Sequence, residues 1–189
     1  MGYYDDPKNV EQYIEMAAEY DSRELIEALR RRLPEGATVL ELGMGPGKDL
    51  AMLKETYRAT GTDVSQVFVD RYLATHADAD VFVLDAATLE TDRVFDGIYS
   101  NKVLIHLTLE ELAVSFRRQA EVLVSGGVAL HSFWYGDAEE VYEGLRSVSY
   151  TEATLREAVG VALEVVEVVR YAEMEEGDSL YVVVRSGGR

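Results

Sequence analysis

Apolar positions recur at helical spacing over residues 8 to 33, first as Val10, Tyr13, Ile14, Ala17 and Ala18, then as Leu25, Ile26, Leu29 and Leu33. Asp21 and Ser22 between the runs offer a fresh N-cap, so the pattern predicts two short helices rather than one long one. Pro34-Glu35-Gly36 ends them. From Ala37 onward short β-branched runs alternate with amphipathic stretches. Strands are expected at Ala37 to Leu42, Arg58 to Asp63, Asp80 to Leu84, Asp96 to Ser100 and Val128 to Phe133. Helices are expected at Asp49 to Tyr57, at a segment capped by Ser65 that carries Val67, Phe68, Tyr72 and Leu73, and from a Thr108–Glu111 capping box as far as Gly126-Gly127. Thr151 caps a further helix. Leu163 to Tyr171 and Leu180 to Arg185 read as strands whose turn-like link, Glu175 to Ser179, is short enough only for antiparallel pairing.

Strands separated by helices imply right-handed crossovers and a mostly parallel sheet covered on both faces, an α/β class. No repeat, low-complexity tract or linker interrupts the chain. One domain over residues 1–189 is expected, with a core at 37–186 and an N-terminal helical appendage at 1–33.

Composition narrows the chemistry. A chain of 189 residues buries roughly 70% of its unfolded surface and folds without staples. With no cysteine, disulfides, zinc–thiolate sites and thiol catalysis are excluded. Asp and Glu number 35 against 18 Lys and Arg, a net charge of −17, and such a surface repels phosphate backbones, so no nucleic-acid partner is expected. Only Lys8, Lys48, Lys54 and Lys102 are lysines, a bias that adaptation to high salt, GC-rich coding or selection for solubility would each produce. Neither a signal-peptide pattern nor an apolar run of membrane-span length is present, so the expectation is a cytoplasmic protein with no membrane partner.

The informative segment is Val39-Leu40-Glu41-Leu42-Gly43-Met44-Gly45-Pro46-Gly47, where the first strand turns into the following helix. A dinucleotide site wants G-x-G-x-x-G beside a pyrophosphate. Here Lys48 stands where that third glycine would be, and Glu41, two positions before Gly43, would repel a diphosphate while supporting an ammonium group. The ligand so indicated is a nucleoside with a cationic tail. These residues resemble the first motif of the class I S-adenosylmethionine-dependent methyltransferases, an acidic residue followed by G-x-G-x-G; the resemblance is to small, single-domain, type 11/25-like members. It covers residues 37 to about 186, and it implies a Rossmann-like three-layer sandwich whose seven-stranded sheet is mostly parallel with an antiparallel C-terminal strand.

Three further segments fit the resemblance. Gly61-Thr62-Asp63-Val64-Ser65 places an acid 20 residues after Gly43, where the family binds ribose hydroxyls. Val83-Leu84-Asp85-Ala86 resembles the adenine-edge position. Phe95-Asp96-Gly97-Ile98-Tyr99-Ser100-Asn101 resembles the fourth-strand motif beneath the methionine part of the cofactor. Leu123-Val124-Ser125-Gly126-Gly127 replaces the proline of the family's L-x-P-G-G turn with serine. The resemblance therefore implies S-adenosyl-L-methionine as cofactor, S-adenosyl-L-homocysteine as product, and cofactor contacts from Glu41, Gly43, Gly45, Gly47, Asp63, Val64, Asp85, Ala86, Ser100, Asn101 and Tyr20.

Catalytic candidates lie in the loops after the fourth and fifth strands. His106 is a candidate general base or a cap histidine satisfied by backbone; Lys102 is a candidate for holding an acidic acceptor or a solvated lysine. Trp134 and Tyr135 form an acceptor wall or belong to the core, and His131, inside an apolar strand, reads as a satisfied core histidine. Tyr13 and Tyr20 either close the methionine end of the site as part of a lid or pack on the sheet. The fourth-strand loop is not N-P-P-[YF], the type that methylates exocyclic amines of adenine or glutamine side-chain amides, which together with the acidic surface directs the expectation to a small-molecule acceptor; a monomer or homodimer is expected. The alternative is a non-catalytic nucleoside-binding or regulatory module on the same fold.

Overall fold

The computed structural model describes residues 2–188; Met1 and Arg189, the ends of the expected single domain, lie outside the described residues. In chain order the elements are α1 (Pro7–Ala17), α2 (Arg23–Arg30), β1 (Thr38–Leu42), α3 (Lys48–Lys54), β2 (Arg58–Asp63), α4 (Gln66–Thr75), β3 (Val81–Val83), β4 (Phe95–Asn101), α5 (Leu109–Val122), β5 (Leu123–Trp134), β6 (Glu139–Tyr142), β7 (Leu145–Val148), α6 (Glu152–Val159), β8 (Glu164–Tyr171) and β9 (Ser179–Arg185). Seven strands form one sheet in the order β3-β2-β1-β4-β5-β9-β8. All neighbours pair in parallel except β9, which is antiparallel to both β5 and β8. Strand order reverses at β1, which β2 and β4 flank, and loops at the carboxyl ends on either side of such a point diverge and leave a crevice.

Alternation along the strands sorts side chains onto two faces. Leu40, Ile98, Ala129, Phe133, Leu180 and Val182 pack with Leu112 and Phe116 of α5 and Leu155 of α6. Val39, Tyr99, Leu130, Tyr181 and Val183 pack on the other face with Leu25, Ile26 and Leu29 of α2, Leu50 and Leu53 of α3, and Val69 and Tyr72 of α4. Both faces are thus covered, as parallel strands require. Among the described residues no helix is long and apolar enough to cross a membrane.

Local chemistry explains where the elements begin and end. Ser65 Oγ accepts from the Phe68 N–H, and Thr108 and Glu111 cap each other's backbone, as their sequence positions predict. Ser22 stands at the start of α2, but its hydroxyl donates to Asp49 of α3 instead of capping its own helix. The helix expected to run to Gly126-Gly127 stops at Val122, because Leu123 already pairs with Phe95 of β4. Gly126, at φ +78°, instead kinks β5 near a register shift, and its N–H donates to the Ser186 carbonyl at 3.1 Å. The hairpin β6–β7 was not expected. Its two-residue turn, Glu143-Gly144, has φ of +49° and +85°, the type I′ geometry that matches strand twist.

Gly47 starts α3 in the left-handed conformation, at φ +86°, and a Cβ there would fall 2.2 Å from Tyr72 Cε2. Gly36 has a similar φ, +78°, with nothing within 4 Å of the same position. Gly36→Ala should therefore cost about 1 kcal/mol from backbone strain alone. Gly47→Ala should cost at least about 1 kcal/mol more, because the Tyr72 ring must move. Urea unfolding of the two variants measures the difference; equal losses would mean that the ring gives way freely.

Candidate active site

The carboxyl ends of β1, β2, β4 and β5 open into a cavity of about 320 Å³. The loop after β1 contributes Gly43 and Gly45, the end of β2 Asp63 and Val64, and the end of β3 Leu84, Asp85 and Ala86. Across the reversal in strand order stand Asn101, Lys102, Val103, Ile105, His106 and Leu107 after β4, Trp134 from β5, and Leu145 and Ser147 from the β7 strand of the hairpin. Tyr4, Tyr13, Met16 and Tyr20 of the N-terminal segment, Phe68 of α4 and Glu173 complete the lining.

Asp63 organises the glycine loop. Its Oδ2 accepts from the Gly45 N–H and its Oδ1 from the Ser65 N–H, each at 2.9 Å. Burial raises its pKa, and those backbone donors act against the rise. Beneath the loop, Glu41 is buried, and its Oε2 has no hydrogen-bond partner among the described residues. Desolvation, reinforced by Asp49 and Asp63, holds its pKa well above the usual carboxylate range. Asp49 is better satisfied: it accepts from the Tyr99 hydroxyl at 2.9 Å, from Asn101 Nδ2 at 3.3 Å and from Ser22. Its neighbour Lys48 donates to the carbonyls of Ala18 and Tyr20, so the first turn of α3 fastens the link between α1 and α2.

The second half of the cavity is mostly apolar. His106 Nδ1 lies 2.5 Å from the Arg146 carbonyl. A carbonyl only accepts, so Nδ1 carries the proton and a neutral ring leaves Nε2 as a lone pair. Burial lowers the His106 pKa, which favours that neutral form. Lys102, at φ +55°, is fully engaged: its ammonium contacts Glu173 at 2.6 Å, Ser179 Oγ at 2.8 Å, and the Phe133 carbonyl and Tyr171 hydroxyl at 3.2 Å each. It also sits 3.9 Å from the centre of the Trp134 ring. Three ammonium protons are thus shared among four acceptors, which leaves none for an acidic acceptor and makes Lys102 the anchor of the β8–β9 loop. Among the described residues no group of acids and histidines has the arrangement of a metal site.

Of the residues expected from sequence, Gly43, Gly45, Asp63, Val64, Asp85, Ala86, Asn101, Tyr20, Lys102 and His106 line this cavity together. Four do not. Glu41 lies below the lining, and Gly47 is turned against Tyr72. Ser100, fully buried, bonds His131 Nδ1 at 2.8 Å, because strand alternation directs it to the α5 face. Tyr135, one position beyond Trp134, is 38% exposed outside the cavity with the Arg170 guanidinium 3.5 Å from its ring centre.

The sequence profile described as a methyltransferase domain matches residues 39–127, the stretch from β1 to the start of β5 that builds the glycine loop, Asp63 and Asp85. That stretch is similar to methyltransferase domains and takes in just under half of the chain. An O-methyltransferase of Pyrenophora dematioidea is 32% identical over 125 residues, which span 61% of this chain and 46% of that protein, so the chain matches less than half of that relative's length. Two solved structures share the fold. The partner of the Trm112 activator in a complex from Haloferax volcanii superposes with a TM-score of 0.79 at 19% identity, over 100% of this chain and 99% of that one. The 1,6-didemethyltoxoflavin N1-methyltransferase of Burkholderia thailandensis, solved with its acceptor and S-adenosylhomocysteine, superposes at 0.78 with 21% identity, over 95% and 84%.

Tyr4, Met16, Phe68, Val103, Ile105, Leu107, Leu145, Ser147 and Glu173 line the cavity without having been singled out from sequence. The Glu143-Gly144 turn signal between two β-branched and aromatic runs was the available pointer to Leu145 and Ser147. Glu173 carried no signal, since only the antiparallel return of β9 brings its loop to the cavity.

The raised pKa of Glu41 sets a pH dependence. Below the ordinary glutamate value of about 4.3 the group is neutral folded and unfolded alike; as pH rises above it, ionisation favours the unfolded chain. Glu41→Gln should therefore melt close to the parent at about pH 4 and progressively above it towards about pH 7. A melting-temperature difference that does not change with pH would contradict the buried, uncompensated carboxylate.

Proposed function

We propose that the chain transfers a methyl group from S-adenosylmethionine to an oxygen or nitrogen of a small, largely apolar acceptor, with His106 as general base. The observation that carries the reading is the division of the cavity at the reversal in strand order. Carboxylates and glycine backbone stand on the β1–β3 side, and a mostly apolar wall with one neutral imidazole and the closed Lys102–Glu173 pair stands on the β4–β5 side.

The residues present fit the cofactor. Asp63 keeps lone pairs for the two ribose hydroxyls after accepting from Gly45 and Ser65. Glu41 and Asp49 set a negative potential for the ammonium of the methionine part, and the unpartnered Glu41 oxygen is the group such a cation would relieve. Asp85 accepts from the amine of the adenine, and the backbone next to it serves a ring nitrogen. When bound, the cofactor supplies a sulfonium methyl that is already activated, so the protein's work is positioning, water exclusion and proton removal.

Ile105, Leu107, Trp134 and Leu145 form the wall against which a planar acceptor lies, and they keep water from the reacting centre. His106 Nε2 takes the proton that an acceptor O–H or N–H gives up, while the Arg146 carbonyl holds the ring in the required tautomer. Tyr4, Tyr13 and Tyr20 cover the cavity as a lid that opens for exchange of ligands. The similarity to an O-methyltransferase and to an N1-methyltransferase of a heterocycle supports an acceptor of this class.

Transfer of labelled methyl from S-adenosylmethionine to a panel of phenols and N–H heterocycles tests the reading. Cofactor binding with no transfer to any small molecule would favour a non-catalytic module instead. For an active pair, His106→Asn should lower kcat about 100-fold or more while leaving S-adenosylhomocysteine binding intact. With the pKa of His106 depressed by burial, kcat/KM should be flat above the ordinary histidine value of about 6.5 and fall only below it. A variant that retained most of its rate would remove His106 from the mechanism.

A further inference from the structure

A buried chain of hydrogen bonds runs from β4 and β5 across α5 to the loop after β3, and its direction can be deduced end to end. Ser115 Oγ lies 2.6 Å from the Ala86 carbonyl, which only accepts, so the hydroxyl must donate. Its lone pair then accepts from Gln119 Nε2 at 3.1 Å, which fixes the orientation of that amide. Gln119 Oε1 therefore faces His131 Nε2 at 2.8 Å, and the imidazole must carry its proton there. Burial pushes the His131 pKa down to about 3, so the ring is neutral and Nδ1 is a lone pair, which accepts from Ser100 Oγ at 2.8 Å. Ser100, Ser115, Gln119 and His131 are fully buried, and none lines the cavity.

The chain does not stop at the Ala86 carbonyl. The same peptide unit presents the Ala87 N–H, which donates to Asp85 Oδ1 at 2.8 Å. Every group from Ser100 to Asp85 thus donates to the next in one direction, the arrangement in which successive hydrogen bonds polarise one another. The outcome is an exposed carboxylate at the cavity with one oxygen fixed by a peptide that is itself pinned from behind, and with Oδ2 accepting no hydrogen bond from the described residues. A core could satisfy His131 with one serine and one carbonyl; here four side chains from β4, β5 and α5 are spent on the peptide beside Asp85.

We propose that Ser115, Gln119 and His131 are positioning residues that hold Asp85 ready for an amino group on the ligand's base, and so give the site its preference for a 6-amino over a 6-oxo purine. The proposal rests on S-adenosylmethionine occupying the cavity with its base at Asp85. An amine donates to Oδ2, whereas a 6-oxo group turns a second acceptor towards it and the pairing is lost.

The test compares the dissociation constants of S-adenosylhomocysteine and S-inosylhomocysteine, measured by calorimetry on the parent and on Ser115→Ala and Gln119→Met. The parent should prefer the adenosyl ligand. Each variant should lose about fivefold of that preference, the worth of one buried neutral hydrogen bond, chiefly through weaker adenosyl binding. The double variant should lose no more than the worse single one, because the groups act as a unit. A purely structural role would weaken both ligands alike or leave both unchanged, and either result overturns the proposal. If the parent binds neither ligand, the functional reading itself fails, which is a different outcome. A second measurement needs no substitution: nitrogen NMR of the parent should show His131 protonated at Nε2 only, with a resonance that moves on adding S-adenosylhomocysteine and stays with the inosyl ligand. A His131 signal indifferent to both would overturn the proposal even if the variants failed to fold.

Discussion

The site depends on one carboxylate held between two turns. Asp63 accepts from Gly45 in the loop after β1 and from Ser65 at the start of α4, so a single side chain fixes the glycine loop against the end of the neighbouring strand. The Met44 N–H adds a bond to the Thr62 carbonyl at 2.8 Å, which makes the junction double. A glycine loop with three residues at positive φ has little conformational preference of its own, and this tie gives it one shape. The geometry of the cavity follows, because the loop leads into α3, and α3 supplies Lys48 and Asp49, which fasten the link that carries Tyr20 to the cavity.

Buried charge concentrates at this end of the sheet. Asp49 and Asp63 oppose the ionisation of Glu41, and of the three carboxylates only those two accept from donors. A cation at the loop would reverse the sign of that interaction, so what destabilises the empty protein favours the ligand. The polar chain from Ser100 through His131 to Ser115 is satisfied throughout and stiffens the sheet behind the site at no such cost. Rigid support therefore reaches the Asp85 side of the cavity, while the opposite side rests on a short hairpin and the N-terminal tyrosines.

Most of the architecture was legible in the chain because its strands are parallel and buried on both faces, which gives short apolar runs between capped helices. Ser65 and Thr108 behave as their positions predict. The end of α5 was misjudged because Gly126-Gly127 reads as a helix stop, while the pairing of Leu123 with Phe95 that ends the helix earlier is a long-range contact. Asp63, Asp85 and the glycine loop were readable, since their spacing encodes strand ends. Lys102 was readable as a site residue but not as a saturated one, because Glu173, its partner, lies 71 positions further on and arrives only through the β8–β9 turn. His131 read as a core histidine; what it is satisfied by depends on α5 packing over β5, which no local pattern encodes.

The proposed function requires Asp63 to serve both the loop and a ribose. Calorimetric titration of S-adenosylhomocysteine into the parent and into Asp63→Asn tests this most directly, because asparagine keeps the size but replaces one acceptor oxygen with a donor that faces a backbone N–H. The parent should bind, and the variant should bind at least about tenfold more weakly, a loss of about 1.4 kcal/mol or more, with its circular dichroism unchanged. Equal affinity in a folded Asp63→Asn variant would contradict the account.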